Sequence, residues 1–267
     1  MGEPRDSNRQ RAALEAALRA ALDGAGLEPQ TRFAALVAGI SGFDGGTSAV
    51  PDLADRAERV KIAHDTAIAH EGALDGAAGI VVIAGTGSVA LGNAEPGGRF
   101  VRGGGWGYFF GDEGGAIWIA RNALRLAMLR EDRGEAGALA ARAYTFYGTN
   151  SLRAIQHAFA HGEISRPALA AFASDVLALA TEGDGDAERV RDAAATELAQ
   201  LSALVDRGLR PAPARLVSYA GGLFRDGAFT DVFANMLADA LPHADLVAPA
   251  HDPALGALAL ARKLGAA

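Results

Sequence analysis

The stretch Gly103-Gly-Gly-Trp-Gly-Tyr-Phe-Phe-Gly-Asp-Glu-Gly-Gly-Ala-Ile-Trp-Ile-Ala-Arg121 comes shortly after Ile83-Ala-Gly-Thr-Gly-Ser88. It holds seven glycines, two tryptophans and the adjacent acids Asp112 and Glu113 at one junction between a loop and a helix. Packing of a hydrophobic core does not call for this composition. We therefore predict that the junction holds a ligand.

The bulk composition excludes several classes of protein. With 267 residues the chain can bury a substantial core in one large domain or two small ones. The formal net charge is -7, and no run of lysines and arginines is interleaved with aromatic residues, so no nucleic-acid partner is expected. No apolar run approaches the roughly 20 residues of a membrane span, and the N-terminus is polar and charged. We expect a cytoplasmic protein without a membrane partner.

Cysteine and histidine usage argues against a protein-held metal. The chain has no cysteine, which excludes disulfides, thiolate zinc sites and ordinary iron–sulfur clusters. Only His157 and His161 have the helical spacing that could pair them on a metal, and no glutamate-centred zinc motif accompanies them. We interpret these two, with His70, His243 and His251, as surface or capping residues. No metal-ligating residue is predicted.

The first part of the chain alternates helical and strand patterns. Leucines four residues apart predict an amphipathic helix over Arg9 to Ala25, and an apolar run predicts a strand over Phe33 to Ile40. A short helix over Ala54 to Arg59 is predicted to precede a strand over Val60 to Ala63, and another helix covers about Ala67 to Leu74. This alternation is typical of a parallel α/β sheet, where ligands gather at the carboxyl ends of the strands.

From Gly79 onward the pattern predicts an antiparallel meander that opens a second domain, with helices after it. The turn signal Pro96-Gly-Gly98 separates the last two strands of the meander. A long alanine-rich helical region is predicted over roughly Glu135 to Arg207, with only Gly183-Asp-Gly185 clearly interrupting its later part. The remaining predicted elements are strands at Ile80 to Ala84, Val89 to Gly92, Phe100 to Arg102, Leu216 to Tyr219 and Asp245 to Val247, and helices at Ala116 to Arg130, near Phe229 to Leu241 and from Pro253.

Two glycine-rich turns are candidate nucleotide contacts. Gly85-Thr-Gly-Ser88 joins two predicted strands, so its backbone amides and the hydroxyls of Thr86 and Ser88 could form a phosphate cradle. A plain β-turn explains the same residues. Gly221-Gly222 comes after a buried strand, where glycine lets a flat ring or a phosphate approach the backbone, or simply ends the strand.

Acidic residues at two predicted helix starts have alternative roles. Asp65, beside His64 at a strand end, could be a catalytic base or the N-cap of the next helix. Asp112 and Glu113 could bind sugar hydroxyls or a hydrated cation, or could neutralise the N-terminal dipole of the next helix. Trp106 lies between glycines with little core around it in sequence, whereas a tryptophan is more often a core residue.

The order of these motifs resembles a known family. The motifs are Ala63-His-Asp-Thr-Ala67, Gly79-Ile-Val-Val-Ile-Ala-Gly-Thr-Gly-Ser88, Gly104-Gly-Trp-Gly107 with Gly111-Asp-Glu-Gly114, Ala220-Gly-Gly-Leu223 and Asp252-Pro-Ala-Leu-Gly-Ala257. Together they resemble the BadF/BadG/BcrA/BcrD ATPase family and, within it, the N-acetylglucosamine kinase branch. That family is part of the superfamily of actin, sugar kinases and heat-shock chaperone ATPases, whose two ribonuclease-H-like domains close over ATP.

The resemblance implies an α/β fold of two ribonuclease-H-like (actin-like ATPase) domains. Residues 1–77 would form the first, N-terminally truncated domain, with the helix 253–267 packing back on it. Residues 78–252 would form the second, with a helical insertion. Family members start with a hairpin carrying an Asp-Gly-Gly-Gly-Thr phosphate loop, and the chain near Asn8 resembles the segment of the family after that hairpin. We interpret Asp44-Gly-Gly-Thr47, which is similar in letters, as a turn.

The resemblance also implies roles for individual residues, with ATP and Mg²⁺ as cofactors. Asp65 would be the catalytic base that takes the proton of the attacking sugar hydroxyl. Gly115 departs from the family, because the kinases usually carry Ser there. The implied sugar contacts are Asn8, Gly105, Trp106 and Asp112; the implied nucleotide contacts are Gly85, Thr86, Gly87 and Ser88 at the β- and γ-phosphates, and Gly221, Gly222 and Leu223 beside the adenosine.

Three functional interpretations are compatible with the sequence. The leading one is ATP-dependent phosphorylation of an amino sugar, N-acetylglucosamine to its 6-phosphate first among them. An ATPase that drives electrons into a dehydratase would need cysteines for its cluster, and the chain has none. The alternative from a different class is a catalytically impaired remnant that binds sugar or nucleotide. The expected partner is a small-molecule sugar, and a homodimer is one assembly open to the chain.

Overall fold

The computed structural model describes residues 7–43, 53–135 and 137–266, with only the backbone described for residues 7–11. These residues divide into two compact units: unit 1 comprises the described residues up to Gly76 together with those from Ala250 onward, and unit 2 comprises the described residues between Ala77 and Pro249. Among the described residues no helix has the length and apolar character needed to cross a bilayer.

Unit 1 contains a parallel pair of strands with helices against it. Strand β1 (Phe33–Ile40) pairs with β2 (Ala57–His64) in one continuous register, from Phe33 opposite Ala57 to Ile40 opposite His64. Because the strands are parallel, their carboxyl ends meet at one edge, where helix α2 (Asp65–Ala73) begins. The remaining helix of the first segment is α1 (Ser7–Gly24).

The predicted short helix over Ala54 to Arg59 is wrong. Residues 54–56 form a turn, and β2 already begins at Ala57, which pairs with Phe33 of β1. The side chain of Arg56 donates to the carbonyl of Pro29 at 2.7 Å, and that of Arg59 donates to the carbonyl of Leu264 at 2.8 Å. Pairing with β1 and these long-range bonds override the local helix preference of the segment.

The end of the chain packs into unit 1. The amide of Ala250 donates to the carbonyl of Ala73 and that of His251 to Gly72, each at 3.0 Å. The last helix (Pro253–Ala266) then packs on α2, where Gly256 lies so close to the backbone of Ile68 that no side chain would fit. Backbone contact of this kind lets two helices cross at short range.

Unit 2 is built on a mixed sheet in the order β5-β4-β3-β6-β7. β3 (Gly79–Ala84), β4 (Ser88–Asn93) and β5 (Val101–Gly104) form the predicted antiparallel meander, while β6 (Arg215–Ala220) runs parallel to β3 and β7 (Ala244–Leu246) runs parallel to β6. Ile80, Val81 and Val82 of β3 are fully buried, as their continuous apolar pattern predicts.

The helix Gly185–Arg207 packs on strands β3, β4 and β5, and the other helices of unit 2 pack on it or on one another. The long alanine-rich region is more divided than predicted. Gly148 ends one helix in the left-handed region at φ 66°, and the side chains of Ser151, Ser165 and Asp184 cap the starts of the next three. Only the last of these interruptions was predicted. The helices are α3 (Ala116–Asp132), α4 (Ala138–Tyr147), α5 (Leu152–Ala160), α6 (Arg166–Thr181), α7 (Gly185–Arg207) and α8 (Gly227–Ala240), with a 3-10 turn at Gly222–Arg225.

Candidate active site

The turn Gly85–Ser88 is a tight hairpin between β3 and β4, in which Ala84 pairs with Ser88. Its carbonyls face the start of α3: Ala116 N donates to Gly85 O at 2.8 Å, and Ile117 N donates to Thr86 O at 3.1 Å. The turn therefore caps α3 and is held by it. This fixes the direction of the backbone at the position where a phosphate cradle was predicted.

The two hydroxyls of this turn differ in their surroundings. Thr86 is exposed and lines a cavity, whereas Ser88 is buried and its hydroxyl donates to the carbonyl of Glu113 at 2.6 Å. The expectation that the Ser88 hydroxyl is a donor for phosphate is therefore corrected. Because Ser88 is buried against the Gly111–Gly115 loop, its hydroxyl proton is already used in the hydrogen bond to Glu113.

The predicted nucleotide turns converge at one edge of the sheet of unit 2. β3 and β6 are parallel neighbours, with Ile83 opposite Ala220, so the segments after them start side by side. Gly221 has φ 105° and lies against the backbone of Ala84, where a Cβ atom would overlap the carbonyl of Ala84. Only glycine combines this φ with this close approach.

A cavity of about 700 Å³ lies beside these two turns within unit 2. Gly85 and Thr86 line it from the hairpin, and Gly222 and Leu223 line it from the segment after β6. Sequence reasoning missed its other walls, although Pro167, Ala170, Ala171 and Ser174 have helical spacing as a face of small residues on α6. The remaining lining residues are Ala116, Ala173, Leu177, Arg225 and Asp226.

Asp112 links the loop Gly111–Gly115, called the acid loop below, to the turn Gly85–Ser88, called the phosphate turn. It adopts φ 59°, and its carboxylate accepts from the amide of Gly107 at 3.2 Å and from the amide of Ser88. Gly87 lies directly against this carboxylate, leaving no space for a side chain. Partial burial raises the pKa of Asp112 above its ordinary value, and the two backbone hydrogen bonds partly oppose that rise.

The other predicted sugar contacts lie on an exposed loop. Trp106 is 78% exposed, and Phe109 and Phe110 are 74% and 82% exposed. Gly105 has φ 71°, and its carbonyl accepts from the side chain of Arg102 at 3.2 Å. Trp106 is therefore not a core residue of unit 2, which leaves its indole open to a ligand.

Asp65 is the first residue of α2 in unit 1, directly after the carboxyl end of β2. The N-cap position belongs to His64, so the alternative of Asp65 as N-cap does not hold. Its Oδ1 atom lies 2.6 Å from Nδ1 of His64 and accepts from the amide of Thr66 at 2.8 Å. The carboxyl group is 44% exposed. A partly exposed carboxylate fixed at a strand end has the accessibility that a base requires.

The remaining predictions from the sequence concern residues outside this site. The side chain of Asn8 and the segment Asp44–Thr47 lie outside the described residues. His70 is buried, at 2% exposure, so it is not a surface residue; its interpretation as a capping residue stays a prediction. Within the described ranges no group of three or more His, Asp or Glu residues is placed to hold a metal ion.

Comparison with known proteins identifies relatives over most of the chain. The profile of the BadF/BadG/BcrA/BcrD ATPase family matches residues 2–261. The N-acetylmuramic acid/N-acetylglucosamine kinase of Clostridium acetobutylicum is 28% identical over 207 residues, which cover 76% of this chain and 67% of that protein.

Solved structures agree in fold. A candidate N-acetylglucosamine kinase from Chromobacterium violaceum superposes with a TM-score of 0.76 at 27% identity, over 96% of this chain and 86% of the other. A ROK-family glucokinase from Streptomyces griseus superposes with a TM-score of 0.56 at 16% identity, over 96% and 88% of the two chains, which shows a shared fold alone. The predicted α/β fold class of actin-like domains is confirmed.

Proposed function

The chain belongs to the BadF/BadG/BcrA/BcrD ATPase family, and on that basis we propose that it phosphorylates the 6-hydroxyl of an amino sugar, N-acetylglucosamine first among them. The family match and the kinase relatives make the chain an ATP-dependent sugar kinase. The particular sugar, the base and the metal ion are our proposal.

The observation that carries the proposal is the convergence of two glycine turns on one cavity. Gly85 and Thr86 line it together with Gly222 and Leu223, and its volume of about 700 Å³ is within the range of small-molecule sites. We assign the Gly85–Ser88 turn to the β- and γ-phosphates through the backbone amides of Thr86 and Gly87. The other two amides of the turn are already used, because Gly85 N donates to Gly87 O at 2.9 Å and Ser88 N donates to Asp112. The segment Gly221–Leu223 then lies beside the adenosine, where the two glycines let the nucleotide approach the backbone.

The sugar contacts belong to the same proposal. Trp106 offers an exposed aromatic face, and Gly105 and Asp112 offer polar groups on the same loop. Asn8 is proposed on the resemblance alone. The relative from Clostridium acetobutylicum is named for two amino sugars that share an N-acetyl group, which supports an N-acetylhexosamine as the substrate class.

Phosphoryl transfer needs few protein groups, because its transition state is loose and highly charged. We propose that Asp65 accepts the proton of the sugar hydroxyl while the oxygen of that hydroxyl forms a bond to the γ-phosphorus. The bond from that phosphorus to the bridging oxygen breaks, and ADP leaves. Mg²⁺ bound with the nucleotide would neutralise charge on the phosphoryl oxygens. The turn amides would hold these oxygens in line with the attacking hydroxyl.

Release of ADP from the purified protein with a panel of amino sugars and Mg²⁺ tests the proposal. Formation of ADP that depends on an N-acetylhexosamine supports it, and binding of sugar and nucleotide without ADP supports the impaired remnant. Asp65→Asn is expected to abolish transfer and to leave ATP binding intact. Asp55→Asn, at a carboxylate exposed in the same unit, is the matched control. Sugar-dependent turnover by Asp65→Asn would remove Asp65 from the mechanism.

Two further expectations accompany the proposal. A homodimer is one assembly open to the chain, and light scattering on the purified protein would measure it. A cytoplasmic location is also proposed, and fractionation of the source cells would measure it.

A further inference from the structure

His64 and Asp65 make an unusually close contact at the start of α2. Nδ1 of His64 lies 2.6 Å from Oδ1 of Asp65, and the imidazole is only 22% exposed. Two lone pairs at this distance would repel each other, so a proton must lie between the two atoms. We place that proton on Nδ1, from which it is donated to the carboxylate oxygen. Both the imidazolium and the Nδ1–H tautomer of the neutral ring satisfy this condition.

Thr66 completes the arrangement. Its amide lies 2.8 Å from Oδ1 of Asp65 and 3.2 Å from Nδ1 of His64. A protonated Nδ1 cannot accept, so the amide donates to the carboxylate. The hydroxyl oxygen of Thr66 lies 2.9 Å from Nδ1 and can share its proton. Oδ1 thus faces two donors, which occupy its two lone pairs, and none of these contacts involves Oδ2.

We propose that His64 is a positioning residue for Asp65. The Nδ1–H group and the Thr66 amide anchor Oδ1, so that the carboxylate is held in one orientation and Oδ2 is the atom that accepts the sugar proton. This inference rests on the proposed function of Asp65 as base. A base held in place contributes to rate because small misplacements of reacting groups are costly.

The competing explanation is that His64 only caps α2. Three substitutions separate the two roles. His64→Asn places an amide N–H at the same number of bonds from the backbone as Nδ1 and is also a good N-cap. His64→Asp keeps a good cap but removes the donor. His64→Leu removes both.

The positioning role predicts a split in the kinetic constants. His64→Asp and His64→Leu are expected to lower kcat by about tenfold or more, with KM for ATP and for sugar within about twofold of the parent. His64→Asn is expected to restore kcat to within about threefold of the parent. A pure capping role predicts instead that His64→Asp behaves like His64→Asn, and that any loss tracks the melting temperature. That result would overturn the inference.

A spectroscopic measurement tests the same geometry without turnover. The ¹⁵N shifts of the imidazole of His64, assigned by their loss in His64→Asn, should report a protonated Nδ1, and Asp65→Ala should change them. A neutral ring protonated at Nε2 alone would refute the proposal. Failure of the inference is distinguishable from failure of the proposed function: an inactive Asp65→Asn with a fully active His64→Leu refutes only the inference, and an active Asp65→Asn refutes the role of the base.

Discussion

Gly115 lies directly on Gly87: a Cβ atom at Gly115 would be 2.8 Å from Cα of Gly87 and 2.7 Å from its carbonyl carbon. The backbone of Gly115 is extended, with φ -76° and ψ 168°, which any residue can adopt. A side chain at position 115 is therefore excluded by the lack of space next to the phosphate turn, and not by the backbone conformation. Together with Asp112 against Gly87, it makes the acid loop and the phosphate turn one packed structure.

Gly115→Ala is expected to displace the Gly85–Ser88 turn and weaken ATP binding. The added methyl group overlaps main-chain atoms, which cannot rotate away as a side chain can. We expect a loss of about 1–3 kcal/mol in the free energy of unfolding and a raised KM for ATP. Urea denaturation and initial rates measure the two effects.

Gly137→Ala is the control, since Gly137 also precedes a helix and a Cβ atom there would lie 3.4 Å from Cδ of the Arg130 side chain. Equal stability and equal KM for ATP in Gly115→Ala and Gly137→Ala would show that the contact with Gly87 does not matter.

Gly221→Ala is expected to abolish ATP binding. Gly221 has φ 105° and its Cβ atom would overlap Ala84, so the substitution adds both backbone strain and a clash. Gly183 has φ 91° with open space around it, so Gly183→Ala measures the strain alone, expected at about 1 kcal/mol. Titration calorimetry with a non-hydrolysable ATP analogue gives the affinities. Unchanged affinity in Gly221→Ala would argue against the assignment of this segment to the nucleotide.

Tyr147→Phe is expected to leave the protein as stable or to stabilise it by about 1 kcal/mol. The hydroxyl of Tyr147 is buried and finds no hydrogen-bond partner among the described residues, and burial together with the charge of Asp175 raises the pKa of Tyr147 to about 12. Tyr144 is the matched case, because its hydroxyl donates to Glu131 at 2.9 Å. Urea denaturation should rank Tyr147→Phe above Tyr144→Phe in stability, and the reverse order would contradict the prediction.

Asp186→Asn is expected to destabilise the protein at neutral pH but not in acid. Hydrogen bonds from the side chain of Arg130 hold the pKa of Asp186 below its ordinary value of 3.8. A depressed pKa in the folded state contributes stability above pH 3.8 that is lost as the pH falls through the folded value. The unfolding free energies of the parent and Asp186→Asn should therefore begin to converge as the pH falls below about 3.8, and should meet once the pH is below the folded pKa of Asp186. Parallel stability curves across that range would exclude this linkage.

The main elements of the fold were predictable from local patterns. The strand Phe33–Ile40 has the predicted bounds, and the meander from Gly79 agrees with its β-branched pattern and turn signals. The helix breaks near Gly148 and Gly162 were missed because alanine-rich flanks mask them. Their serine caps at Ser151 and Ser165 were the available signal.

Local sequence patterns were enough to identify which glycine turns follow which strands, and with them the family, because turn geometry and strand pattern are local properties. Three features became visible only in the folded chain: β2 begins at Ala57, the Ser88 hydroxyl donates to Glu113, and α6 lines the cavity beside Gly85 and Gly222. Those outcomes depend on which distant groups meet, since a strand edge, a hydroxyl proton or a row of small side chains acquires its role from its neighbour in space.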